Sequence, residues 1–287
     1  MVKQHIEKIC SRKEDSNKGD YGKVLVVAGS KGMTGAACLC SMGALRAGSG
    51  LVTCAVPETL SPVMEVKLTE VITLSLPAGP DGSAFGLKAV KGILDHAEKC
   101  DAVAIGPGLG RSPDMEKIVT ELIKKISCPI VIDADGLNVI SGKIEIIKKR
   151  KAPTVITPHP GEAGRILGED VCSIQENRSG AAKRLTQMTG AVVCLKGHRT
   201  VVMSPDGETY INDTGNSGMG TAGTGDVLTG IIASFVGQGL EFYGAAVSGV
   251  YLHGLAGDIA MQRKGAFGMI ASDILDSLPE AFAKSGL

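Results

Sequence analysis

The chain has 287 residues, 44% of them hydrophobic and 21% charged, which is enough for one large α/β domain with a substantial core and unlike a disordered segment. Its 30 basic and 30 acidic residues cancel and only 3% are aromatic, which excludes the basic footprint and stacking platforms of a nucleic-acid binder. No apolar stretch approaches membrane-spanning length and the first residues lack an apolar signal core, so no membrane partner is expected and the expected location is cytoplasmic.

Residues 1–20 are polar and weakly patterned and read as a short leading helix and a loop. The run from Val24 to Ala28 is continuously apolar, the mark of a strand buried on both faces, and a glycine-rich loop from Gly29 to Gly35 opens onto a helix over 36–47. The unit repeats: strand 51–56, a helix beyond Pro57, strand 71–76, helix 87–98, strand 102–105, the loop Gly106 to Gly110, helix 114–126, then strands 130–133 and 154–157. The run Lys148-Lys149-Arg150-Lys151 reads as a solvated helix end. A helix over 174–188 leads to strand 191–195, and the turn Pro205-Asp206-Gly207 joins strands 200–203 and 209–211 as a hairpin. From Phe242 the pattern is helical. Such alternation predicts a central, mostly parallel sheet with helices on both faces and a late antiparallel hairpin. No linker rich in Pro or Ser divides it, so a single domain over 1–287 is expected. Eight cysteines without a C-x-x-C pair read as small hydrophobes in a reducing compartment.

The most informative stretch is Asn216-Ser217-Gly218-Met219-Gly220-Thr221-Ala222-Gly223-Thr224-Gly225-Asp226, which empties into an apolar helical run from Val227 to Val236. A helix N-terminus after a glycine loop offers unpaired N–H groups and the positive end of the macrodipole, a phosphate site without Lys or Arg. Asp226 stands at its mouth, where a carboxylate is repelled by phosphate and needs a local reason. It is either the N-cap, or a general base that deprotonates a hydroxyl attacking the phosphoryl group; the two roles can coexist. Ligands of open α/β sheets sit beyond the carboxyl ends of the strands, where the glycine loops, Asp133, Asp135, His159, Glu162 and residues 196–199 all fall. No Walker A loop and no dinucleotide G-x-G-x-x-G follows the first strand.

Six segments, from Tyr21 to Ser30, Met33 to Ala37, Ile105 to Gly110, Val131 to Leu137, Thr157 to Glu162 and Gly223 to Leu228, together resemble the ADP/ATP-dependent NAD(P)H-hydrate dehydratases, a branch of the ribokinase-like fold. The resemblance runs from about Lys18 to the C-terminal helices. It implies a stand-alone enzyme of nicotinamide nucleotide repair, since the epimerase domain that many members carry would not fit this length. The implied reaction returns the S form of hydrated NADH or NADPH to the dihydronicotinamide by phosphorylating the ring hydroxyl and eliminating phosphate, with ADP giving AMP. ADP or ATP is the implied co-substrate, held by Lys196, Gly197, His198, Arg199 and Thr200 with Asn216, Gly223, Thr224 and Gly225. The implied substrate contacts are Ala36, Ala37, Gly108, His159 and Asp226, with Asp226 catalytic. Magnesium is the expected counter-charge, with no ligand set legible in the sequence.

Each lesser residue has a structural alternative. His159 could cap a helix, Glu162 could favour its helix dipole, and Lys196 could be an ordinary strand-end lysine. Arg199 is expected in solvent or near the adenine, Asp135 could cap a helix, and His253 reads as a satisfied core or interface histidine. Apolar residues on the C-terminal helices make a homo-oligomer the expected state. The rival reading is a kinase of the same fold acting on a hydroxymethylpyrimidine, a thiazole alcohol or pyridoxal; a third is a nucleotide sensor without catalysis.

Overall fold

The computed structural model describes residues 5–7 and 14–285, so the leading helix expected before residue 20 lies largely outside the described residues. Among these, nine strands form one sheet: β1 (Lys23–Val27), β2 (Leu51–Pro57), β3 (Ile72–Leu76), β4 (Ala102–Ile105), β5 (Ile130–Ile132), β6 (Thr154–Ile156), β7 (Val192–Leu195), β8 (Val201–Met203) and β9 (Thr209–Ile211). Their order is β3-β2-β1-β4-β5-β6-β7-β8-β9. The first seven run parallel, and β7-β8-β9 are antiparallel. The hairpin expected at Pro205-Asp206-Gly207 joins β8 to β9, but the reversal starts one strand earlier. Gly197 (φ +138°) and Arg199 (φ +56°) turn the chain back straight after β7.

The helices are α1 (Thr34–Arg46), α2 (Ser61–Lys67), α3 (Ala89–Ala97), α4 (Pro113–Lys125), α5 (Asp135–Val139), α6 (Pro160–Leu167), α7 (Val171–Glu176), α8 (Arg178–Thr189), α9 (Thr224–Gly237), α10 (Phe242–Gly268) and α11 (Ala271–Lys284). The single helix expected over 174–188 is split at Asn177 (φ −134°, ψ 65°), whose side chain caps α8 by accepting from the Gly180 amide. The basic run is only partly solvated. Arg150 turns inward and donates to the carbonyls of Ile123, Ile126 and Cys128, closing the C-terminal end of α4.

Strand side chains alternate between two cores, as a sheet covered on both faces requires. Val24, Val26, Cys54, Ala104 and Val131 pack beneath α1, α9, α10 and α11. Leu25, Val27, Val103, Ile105 and Ile132 face α3, α4 and α8. The α1–α9 crossing is backbone to backbone: a Cβ on Gly230 would lie 2.0 Å from the Cys40 carbonyl oxygen, and one on Gly43 would lie 2.6 Å from that of Val227. This contact seats the N-terminus of α9 above the sheet. Among the described residues no helix is long and apolar enough to cross a membrane.

Strand order reverses at β1, which has β2 on one side and β4 on the other. The loops after β1 and β4 therefore flank a crevice at the carboxyl edge, the place where such sheets bind ligands.

Candidate active site

The crevice is built by loops that bond to each other. The Gly29 amide donates to the Pro107 carbonyl at 2.9 Å, and Ser30 Oγ to the Gly108 carbonyl at 2.8 Å. Gly108 has φ +63°, and a Cβ there would stand 3.0 Å from that of Ala36, so only glycine lets the two loops close. Next to it, Asp135 does not cap its own helix. It accepts from the Gly110 amide at 3.0 Å and from Arg111 Nε at 2.8 Å, tying the β4 loop to α5.

The glycine loop then delivers α9. Gly223, at φ +91°, occupies the N-cap position, and Thr224 Oγ1 donates to the Met219 and Thr221 carbonyls at 3.0 and 3.1 Å. Val227 is the first amide to bond back along the helix, to the Gly223 carbonyl at 3.2 Å, which leaves the amides of Thr224, Gly225 and Asp226 without intrahelical partners. Asp226 is the third residue of the helix, and no hydrogen bond contributes to the environment of its carboxylate. The N-cap role is therefore taken by Gly223, and the carboxylate is left free of any structural tie. Burial and the neighbouring Asp133 charge push Asp226 up to about 7, against the pull of Lys196.

Asp133, at the end of β5, is 1% exposed, and both its oxygens are engaged. One meets Lys196 Nζ at 2.5 Å; the other accepts from Thr229 Oγ1 of α9 at 2.6 Å. Lys196 is thus no ordinary strand-end lysine. Burial works against its charge, but Asp133 and Glu162 outweigh burial and hold its pKa above the usual lysine value.

His159 is the N-cap of α6. Its Nδ1 accepts from the Gly161 amide at 2.9 Å and the Glu162 amide at 3.4 Å, while Glu162 Oε2 accepts from the His159 amide at 2.8 Å. This is a reciprocal capping box. Because Nδ1 is an acceptor, the ring proton sits on Nε2, and burial lowers the His159 pKa and keeps the ring neutral.

Two cavities meet at this edge. A cavity of about 400 Å³ lies between the β7–β8 turn, the loop from Asn212 to Gly220, the start of α9 and the face of α10 that carries His253. A second, of about 290 Å³, is lined by the β1 and β4 loops, Asp135, His159, Glu162 and Asp226. Lys196 and Gly225 line both, so the cavities share a wall at the first turn of α9.

Of the residues expected at a nucleotide, Lys196, Gly197, His198, Thr200, Asn216, Thr224 and Gly225 line the larger cavity, while Gly223 lines the smaller one. Arg199 is exposed and lines neither. Of those expected at the second ligand, Ala36, Gly108, His159 and Asp226 line the smaller cavity. Ala37 is fully buried, its Cβ 3.1 Å from where one on Gly29 would stand, and lines neither cavity. Two residues of α10 were not expected here. His253 lines the larger cavity with its Nε2 unpartnered, and burial pushes its pKa down to about 4. Asp258 accepts from the Gly215 amide and from Asn216 Nδ2, both at 2.9 Å, and so holds the glycine loop in place. Polar side chains on an otherwise apolar helix were the signal that could have found them.

Fold and site together define a ribokinase-like α/β protein, with two ligand cavities facing each other across a glycine-capped helix. A ribokinase-like superfamily protein from Enterococcus faecalis V583 has a TM-score of 0.81 at 25% identity, over 99% of this chain and 95% of that one. More narrowly, the family described as NAD(P)H-hydrate dehydratase matches residues 24–280, and the chain belongs to that family of enzymes. It is 47% identical over 268 residues to the bifunctional NAD(P)H-hydrate repair enzyme of Moorella thermoacetica, covering 93% of this chain and 50% of that protein. It is 37% identical to the ADP-dependent (S)-NAD(P)H-hydrate dehydratase of Neisseria meningitidis serogroup B, over 92% of this chain and 86% of that one. The crystal structure of the ADP/ATP-dependent NAD(P)H-hydrate dehydratase from Bacillus subtilis, co-crystallized with ATP/Mg2+, has a TM-score of 0.83 at 30% identity, covering 99% and 97% of the two chains. The chain spans about half the length of the bifunctional relatives it matches.

Proposed function

We propose that this chain dehydrates the S form of hydrated NADH or NADPH with ADP or ATP as co-substrate. The nucleotide occupies the larger cavity, with its terminal phosphoryl group at the free amides of α9, and the hydrated nicotinamide occupies the smaller one. The observation that carries this reading is Asp226: an unpaired carboxylate in the first turn of a glycine-capped helix, lining the smaller cavity beside the wall that both cavities share.

In the hydrate, a hydroxyl sits on the carbon next to the ring nitrogen, whose lone pair is drawn towards the carboxamide, so hydroxide leaves slowly. Asp226 takes the hydroxyl proton as the oxygen attacks the phosphoryl group. Lys196 and the amides of Thr224 and Gly225 stabilise charge on the group in transfer. Phosphate is the better leaving group, and its departure lets the ring recover its second double bond. Among the described residues no group of three His, Cys, Asp or Glu forms a metal cage, and Asp133 already spends both oxygens on Lys196 and Thr229. A magnesium ion accompanying the nucleotide would supply counter-charge to its phosphates.

The cysteines among the described residues are free thiols, in keeping with the cytoplasmic location we infer. The test is to incubate the protein with hydrated NADH, magnesium and ADP or ATP, and to follow dihydronicotinamide absorbance alongside AMP or ADP and phosphate. Absorbance returns with the wild type and falls about 10²–10⁴-fold in Asp226→Asn, with nucleotide binding retained. A phosphorylated vitamin precursor formed without hydrate turnover would establish the kinase instead.

A further inference from the structure

Restoring the dihydronicotinamide removes two protons from the substrate, one from the hydroxyl and one from the ring carbon beside the carbon that carries it. Asp226 accounts for the first. The second needs another acceptor, and the smaller cavity offers few. Asp133 has both oxygens committed, to Lys196 and Thr229. Asp135 likewise spends one oxygen on the Gly110 amide and the other on Arg111 and Asn138. His159 presents its Nε2 proton, because Nδ1 accepts from two backbone amides.

Glu162 differs from all of these. Oε2 closes the capping box, whereas Oε1 makes no normal hydrogen bond among the described residues and has the ring Nε2 of His159 at 3.4 Å, beyond a normal N–H···O bond. The side chain is 4% exposed and nonetheless lines the cavity with Asp226. A capping box can be closed by Gln as well as by Glu, and Gln avoids the cost of burying a carboxylate. The cap alone therefore does not require a charge here; the carboxylate helps hold Lys196 charged and leaves Oε1 facing the cavity. Given the dehydratase reading above, on which this inference rests, we propose that Glu162 is the base that takes the ring-carbon proton when phosphate is expelled.

The step balances as follows. The carbon–oxygen bond breaks with its electron pair leaving on phosphate, and the ring nitrogen's lone pair forms a carbon–nitrogen double bond. The adjacent carbon–hydrogen pair then forms the ring double bond, the nitrogen recovers its lone pair, and the proton goes to Glu162 Oε1. From there it passes to the departing phosphate or to solvent. Burial, with Asp133 nearby, pushes Glu162 up to about 7 against the opposing charge of Lys196, a basicity suited to holding that proton.

The test compares wild type with Glu162→Gln, supplied with hydrated NADH and ADP, and quantifies AMP and dihydronicotinamide together. Gln keeps the cap, so phosphoryl transfer continues and AMP still forms. Dihydronicotinamide falls about 10²-fold, because the stranded cation is recaptured by water and returns to hydrate. Deuterium at the departing position slows dihydronicotinamide formation further in the variant than in the wild type. Equimolar products from Glu162→Gln would overturn the proposal in favour of the phosphate as base, and a parallel loss of both would reduce Glu162 to a shaping role. Should Glu162→Gln melt below the assay temperature, Glu162→Asp decides: it keeps a carboxylate and should stay equimolar at lower rate, and excess AMP would sink the assignment. Absence of both products from wild type would instead refute the dehydratase reading itself.

Discussion

Asp226 illustrates a conflict between stability and chemistry at one side chain. Its folded pKa, raised to about 7 from an ordinary value of 3.8, means that the native state binds more protons than the unfolded chain between those values. Stability from this group is complete below the unfolded pKa and is lost as pH rises through the folded one. Asp226→Asn should therefore melt higher than the wild type at pH 8, by an amount on the order of a few degrees, and the gap should close towards pH 4. A difference independent of pH would show that the carboxylate is not destabilised by its surroundings. The same sign governs activity: a base must be unprotonated, so turnover should climb with pH through about 7. Asp226 was legible in the sequence as a candidate because a carboxylate beside a glycine loop is electrostatically out of place. That Gly223 would take the cap and leave Asp226 untied was not legible, because it depends on where the helix starts.

At the scale of elements, the site depends on how closely α9 lies on α1. Gly230 has only 2.0 Å between a would-be Cβ and the Cys40 carbonyl, and both partners are backbone, so neither can rotate away. Gly230→Ala should cost about 1–3 kcal/mol by denaturant melt, as overpacking does, and should lower turnover by shifting the phosphate-binding turn. Unchanged stability would mean that the helices slide apart without penalty. The strands were readable from their continuous apolar runs, since a parallel sheet covered on both faces leaves no polar alternation. The split at Asn177 was hidden, because the residues on either side keep a helical pattern and the break lies in one residue's backbone angles. The inward turn of Arg150 was hidden for a related reason: its partners are carbonyls at and just beyond the C-terminal end of α4, more than twenty residues away in sequence.

At the scale of the whole molecule, Phe267 is fully exposed and Ile270 is 55% exposed, where α10 gives way to α11. We infer that these C-terminal helices associate with a second copy of the chain. Sedimentation at micromolar concentration should give a species larger than a monomer, and a monomer there would refute the inference.

The sequence alone determined the alternating α/β plan, the late hairpin and the family, because glycine loops, buried strands and the order of motifs are local properties that need no partner to be recognised. Of the site residues it named, all but Arg199 and Ala37 line one of the two cavities. Only the tertiary structure decided what those residues do to one another. Asp133 and Lys196 are 63 positions apart yet share a proton-scale contact, and Asp258 supports a glycine loop more than forty residues before it. Such pairings, and the pKa shifts they cause, follow from burial and long-range geometry, which a one-dimensional pattern does not encode.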